Sequence, residues 1–108
     1  MPKYLMNASY TSEGIKGLAK DTASGRKAAV QSAIKSVKGK LEAFYFSFGA
    51  DDVVLIVDLP DNVSAAAVSL ITGSSGLVNI RTTPLLTVAE VDQALAIPSK
   101  YRAPGAEK

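Results

Sequence analysis

The chain contains no cysteine. Disulfides and thiolate chemistry are therefore excluded, and nothing in it reports the redox state of its compartment. It contains no histidine either. That removes the usual general base near neutral pH, the commonest metal ligand and the usual haem ligand. A zinc or haem enzyme is set aside, and no cofactor is expected. No stretch reaches the roughly 18 apolar residues needed to cross a bilayer, and Met1–Tyr10 lacks the apolar segment of a signal peptide. The expectation is a cytoplasmic protein with no membrane partner.

What is present is ordinary for a folded domain. The 108 residues are 47% hydrophobic and 20% charged, enough for one core and far from the composition of disordered chains. The net charge of +2 hides an asymmetry: residues 1–40 hold eight of the twelve Lys and Arg but only Glu13 and Asp21 as acids. A basic half suggests nucleic acid. Here, however, Lys20, Lys27, Lys35, Lys38 and Lys40 are spread along predicted helices with few aromatics between them, which reads better as a solvated face. A protomer divided by charge also suits pairing with itself.

The alternation of Tyr4, Met6 and Ala8 with Leu5, Asn7 and Ser9 predicts a strand over Lys3–Tyr10. Thr11 or Ser12 caps a short helix with Ile15, Leu18 and Ala19 as its apolar stripe. Asp21–Gly25 is a turn-rich break. A second helix from about Arg26 has Val30, Ala33, Ile34 and Val37 on one face, with Gly39 as its left-handed terminator. Leu41–Phe48 and Val53–Leu59 are strands joined by Gly49-Ala50-Asp51-Asp52. In that turn Gly49 is expected at positive φ, and Asp51 and Asp52 are expected to fold the turn with their side chains. Pro60-Asp61-Asn62 starts a third helix with Val63, Ala67, Leu70 and Ile71 inward, and Gly73–Gly76 ends it. Leu77–Thr87 is the last strand, Val88–Ile97 a short helix with Val88, Val91 and Leu95 apolar, and Pro98–Lys108 a polar tail. The tail is expected to rest on something, such as a neighbouring subunit. Residues 1–97 are thus one domain and 98–108 an appendage.

This order is that of the split βαββαβ, an α+β ferredoxin-like antiparallel sheet. Right-handed crossovers put its helices on one face, so the other face is open. An antiparallel sheet with one wet face should alternate apolar and polar residues, but Val53-Val54-Leu55-Ile56-Val57 does not. A second copy covering the open face is the simplest remedy; the alternative is a monomer whose C-terminal helix and tail fold across it.

Several runs in the chain resemble the GYD-domain family: Thr11-Ser-Glu-Gly-Ile15, Gly39-Lys-Leu-Glu-Ala-Phe-Tyr45, Phe48-Gly49-x-x-Asp52, Val57-Asp-Leu-Pro-Asp61 and Val78-Asn-Ile-Arg-Thr82. Its members are small bacterial proteins of largely unassigned function. The resemblance implies pairing as a dimeric α/β barrel and brings no mechanism with it. The family's Gly-x-Tyr-Asp turn is altered here, with Asp51 at the Tyr position.

If Val78 and Ile80 face the helices, Asn79 and Arg81 face the space between two sheets. Asn7, Ala43, Tyr45, Val54, Ile56 and Asp58 join them there. A mostly apolar cavity with a few polar groups is the general make-up of a small-molecule site. Asn7, Tyr45, Asp58 and Arg81 are its candidate residues, and Arg81 suits a carboxylate or other anion or closes the interface by pairing with Asp58 or with a partner's carboxylate. The expected function is a homodimeric small-molecule-binding module. The alternatives are a cofactor-independent oxygenase or isomerase using Tyr45, Asp58 and Arg81, and a structural or protein-interaction module, with nucleic-acid binding last.

Overall fold

A computed structural model describes residues 1–106; Glu107 and Lys108 of the expected tail lie outside the described residues. The elements are β1 (Lys3–Tyr10), α1 (Ser12–Ser36), β2 (Lys40–Phe46), β3 (Val53–Asp58), α2 (Asn62–Ser74), β4 (Val78–Leu85) and α3 (Val88–Ala96). The strands form one antiparallel sheet in the order β2-β3-β1-β4, an open-faced α+β architecture consistent with the ferredoxin-like expectation. No helix among the described residues is long and apolar enough to cross a membrane.

Period-2 patterning decides which side of the sheet is the core. Tyr4, Met6 and Ala8 of β1 are buried, as are Val53, Leu55 and Val57 of β3. Ile34 of α1, Leu59 after β3, and Ala65 and Val68 of α2 complete that core. α1 packs on β1 and β2, and α2 on β4.

Each helix begins on a side-chain oxygen that accepts from an otherwise unpaired backbone N–H. Thr11 Oγ1 accepts from Gly14 N (3.2 Å) and Asp61 Oδ1 from Ser64 N (2.8 Å). Thr87 and Glu90 form a reciprocal capping box (3.0 and 2.8 Å).

The Asp21–Gly25 break is a single residue. Thr22, at φ 67° and ψ 163°, interrupts α1, and its Oγ1 accepts from Gly25 N at 3.3 Å. The second helical segment therefore starts before Arg26, capped by the residue that breaks the first.

The expected role of Gly39 passes to its neighbour. Lys38 takes the left-handed conformation (φ 63°), while Gly39 is required for space. A Cβ there would lie 2.6 Å from Leu59 Cδ2, 2.7 Å from the Asp58 carbonyl oxygen and 2.9 Å from Ile34 Cγ2.

The rotation of α2 also differs from expectation. Ala65 and Val68 face the sheet, whereas Val63, Leu70 and Ile71 are exposed and Ala67 is on the same outer side. Two hydrogen bonds set that rotation. Tyr4 Oη donates to Asn62 Oδ1 (2.6 Å) and the Ser69 and Thr82 hydroxyls meet at 2.6 Å. Asn62 and Ser69 are seven residues apart on one face. Large sheet residues fill the space beneath the helix, so its small residues fit between them and its large ones turn outward.

α3 does not fold back. Every residue from Val88 to Ala106 is exposed, and the Cα radius of gyration is 17.6 Å against about 13 Å for a compact domain of this length. The open sheet face is left bare by its own C-terminus.

Candidate functional site

Residues directly paired in an antiparallel ladder share a face, so the register maps the open face, with Ser9 and Asn79 paired at the end nearest the β2–β3 turn. Tyr45 pairs with Val54, Val54 with Asn7, and Asn7 with Arg81. These four make one row across the sheet, about 14 Å long at about 4.8 Å per strand. The next row is Ala43, Ile56, Leu5 and Thr83, and the third is Lys40, Asp58, Lys3 and Leu85. The face assignment expected from alternation therefore holds on all four strands. The bulge between Leu41 and Ala43 keeps it so on β2, where an extra residue would otherwise invert the sides.

The charges of this face are already matched. Lys3 Nζ donates to Asp58 Oδ1 at 2.8 Å and also to Glu42. These bonds raise the Lys3 pKa, and the Lys3 ammonium is the main cause that holds Asp58 below the ordinary carboxylate value. At the opposite end Arg81 donates to Asp51, whose side chain also accepts from Ser9 Oγ at 3.1 Å. Arg81 thus has its counter-ion on the β2–β3 turn, and Asp58 has Lys3 instead of Arg81.

The turn is closed by Ser47, whose N donates to the Asp52 carbonyl (2.8 Å) and whose Oγ donates to that of Asp51 (2.6 Å). Gly49 does not adopt positive φ, and a Cβ there would meet nothing within 4 Å. The expectation of a left-handed Gly49 is therefore corrected: a longer loop held by Ser47 removes the need for one. The two Asp side chains reach outward to neighbouring strands. Asp52 Oδ2 accepts from Tyr10 N and Asp52 N donates to the Ala8 carbonyl, both at 2.8 Å.

Of the candidates, Asn7, Tyr45 and Arg81 share one row, while Asp58 lies four residues along β3 from it, about 13 Å away. Tyr45 and Arg81 sit on opposite edge strands. A catalytic trio of Tyr45, Asp58 and Arg81 is not assembled within one protomer. Among the described residues, the Asn7 carboxamide and the Tyr45 hydroxyl make no side-chain hydrogen bond, and Tyr45 is 70% exposed. Between the two charged ends lie Leu5, Ala43, Val54 and Ile56, an apolar floor carrying the neutral hydrogen-bonding groups of Asn7, Tyr45 and Thr83.

Sequence reasoning missed Lys3, Ser9 and Glu42. Alternation along β1 already placed Lys3 and Ser9 with Asn7. Nothing local announces the bulge that brings Glu42 to Lys3.

The architecture defines the class: a small α+β protein with helices on one side of a four-stranded antiparallel sheet and a half-apolar opposite side. The family model for the GYD domain matches residues 4–95, and the chain belongs to that family. No curated protein and no solved structure matches it. Asp51 of the β2–β3 turn is the carboxylate that neutralises Arg81.

Proposed function

We propose that two copies pair through their open faces as a dimeric α/β barrel and bind a small, uncharged, mostly apolar molecule between the sheets. The observation that carries this reading is the pairing of every mapped charge on the face except Lys40 at its edge, with Asn7 and Tyr45 left free above an apolar floor. A ligand with one hydroxyl, carbonyl or amide group on an apolar body would satisfy them. A carboxylate would have to displace Asp51 from Arg81. Sheets packed face to face lie about 10 Å apart with side chains filling the gap, so a ligand would occupy space that small residues such as Ala43 leave unfilled. A cofactor-independent reaction through Tyr45, Asp58 and Arg81 has less support, since the register separates the three.

Thermal shift with uncharged alicyclic and aromatic alcohols, ketones and amides, set against matched carboxylates, tests the reading. A ligand at a hundredfold excess over its Kd stabilises the folded state by about 2.7 kcal/mol. Neutral compounds should raise the midpoint, and Asn7→Leu with Tyr45→Phe should abolish the shift. A panel in which only carboxylates act, and act through Arg81, would overturn it.

A further inference from the structure

A second space lies on the other side of the sheet, between the helices. α1 packs on β1 and β2 and α2 on β4, and the gap between them is a cavity of about 310 Å³, inside the roughly 300–1,000 Å³ range of small-molecule sites. Gly17 and Leu18 of α1 and Ile71 of α2 stand around it. It runs on into a narrower cleft of about 120 Å³ that reaches the sheet at Met6, Phe44 and Leu55. Tyr10, Arg26, Thr72 and Val78 line both, so the two are one continuous space.

Two features set this space apart from an ordinary packing gap. The first is Gly17. A glycine inside a helix weakens it relative to alanine, and at Gly14 close packing requires one, since a Cβ there would lie 2.1 Å from the Leu77 carbonyl oxygen. At Gly17 a Cβ would meet nothing within 4 Å, so its missing side chain serves only to widen the mouth. The second is charge. Among the described residues, Asp21 and Arg26 are the only charged side chains lining the cavity or the cleft. Neighbours on an unbroken helix are three or four residues apart, and residues five apart are turned about 140° from one another. The break at Thr22 (φ 67°) brings Asp21 and Arg26 together, and strained backbone of this kind gathers at ligand sites. Their contact is loose: Arg26 Nη1 lies 3.4 Å from Asp21 Oδ2, longer than the usual 2.9–3.0 Å. It occupies one guanidinium donor and one carboxylate oxygen, and leaves the others to a third group.

A cation and an anion side by side at the mouth of an apolar cleft match a molecule that carries both charges on one carbon, with an apolar group beside them. We propose that the α1–α2 cavity binds an α-amino acid with an apolar side chain. Its carboxylate bonds to the free donors of the Arg26 guanidinium and its ammonium to the Asp21 carboxylate. Its side chain enters the cleft against Val30, Phe44 and Ile80. A plain carboxylate would bring a like charge to Asp21 and a plain amine would bring one to Arg26, so the site selects the zwitterion over either half of it. The cavity and the open face lie on opposite sides of the sheet, and this site depends neither on the sheet pairing nor on the ligand proposed between the sheets.

Isothermal titration of the full-length chain with L-leucine and L-phenylalanine tests it, each beside its deaminated acid and its decarboxylated amine. At least one of the amino acids should bind, at least tenfold more tightly than the acid or the amine made from it. Arg26→Gln and Asp21→Asn, both changes at the surface, should each weaken that binding at least tenfold. Gly17→Leu fills the mouth and should abolish it, with circular dichroism unchanged and a urea midpoint no lower than the parent's. Asn7→Leu with Tyr45→Phe, on the far side of the sheet, should leave it as it was. No binding of either amino acid at millimolar concentration overturns the proposal, as does an acid or amine that binds as tightly as its parent. Binding that survives Gly17→Leu also overturns it, and if the Asn7 and Tyr45 changes remove that binding instead, the amino acid belongs to the open face.

Discussion

Ile56→Lys isolates the sheet-to-sheet contact. Ile56 stands in the middle row of the open face, paired with Leu5 on one side and Ala43 on the other, and points away from the core. Full burial of such a side chain is worth about 1.5–3 kcal/mol. A two-fold interface contains the position twice, so the loss is about 3–6 kcal/mol per pair, before any repulsion between the two lysines. That is roughly a 10²- to 10⁴-fold rise in dimer Kd. Sedimentation equilibrium over a dilution series reads it directly. The far-ultraviolet spectrum should be unaltered, since a lone protomer leaves this face in water. Equal dissociation constants with and without the lysine, or a parent protein that stays monomeric at every concentration, would refute the reasoning.

Gly39→Ala should destabilise the protomer by about 1–3 kcal/mol, the usual cost of overpacking, because one of the three atoms in the way is the Asp58 carbonyl oxygen; a urea midpoint equal to the parent's would count against it. Thr22→Gly should stabilise by about 1 kcal/mol, since φ 67° and ψ 163° suit glycine alone and glycine keeps most of a cap's value; a lower midpoint would show that the Thr22 hydroxyl matters more than its backbone. Asp58, Asp61 and Glu90 are all held below the ordinary carboxylate values, by the Lys3 ammonium, the Ser64 N–H and the Thr87 N–H respectively. A depressed folded-state pKa contributes stability above the unfolded value that is lost as pH falls through the folded one. The melting temperature should therefore be level above about pH 5 and fall below about pH 4, and a rise on acidification would contradict these contacts. Lys3, raised by Asp58 and Glu42, acts in the opposite direction: its contribution is present below the ordinary lysine value and goes only as pH climbs through the raised one.

Strand faces were legible because alternation has a period of two residues, and β4 keeps it from Val78 to Thr83 as β1 does from Lys3 to Ser9. The faces of Asn7, Tyr45 and Arg81 follow from that pattern, whereas the rows they form depend on the register between strands. The rotation of α2 was not legible, since Asn62–Ser74 is apolar or small on every side and offers several equivalent stripes. Its orientation is decided by Tyr4 and Thr82, far away in sequence. The exchange of roles between Lys38 and Gly39 was hidden for a similar reason: the crowding around Gly39 comes from Leu59 and Asp58, twenty residues on. Arg81 finds Asp51 rather than Asp58 because the β2–β3 loop leans over β1, a long-range packing outcome that no spacing rule encodes.

Asp52 ties that loop to β1 through its amide and its carboxylate together, and the tie fixes more than a turn. Two neighbouring strands can settle one step out of frame, and for this chain that error would bring the greasy underside out and bury the ion pairs. A clasp made at the mouth of the hairpin penalises the misaligned arrangement before the rest of the ladder closes. The correct presentation of the open face thus depends on a residue that never touches it.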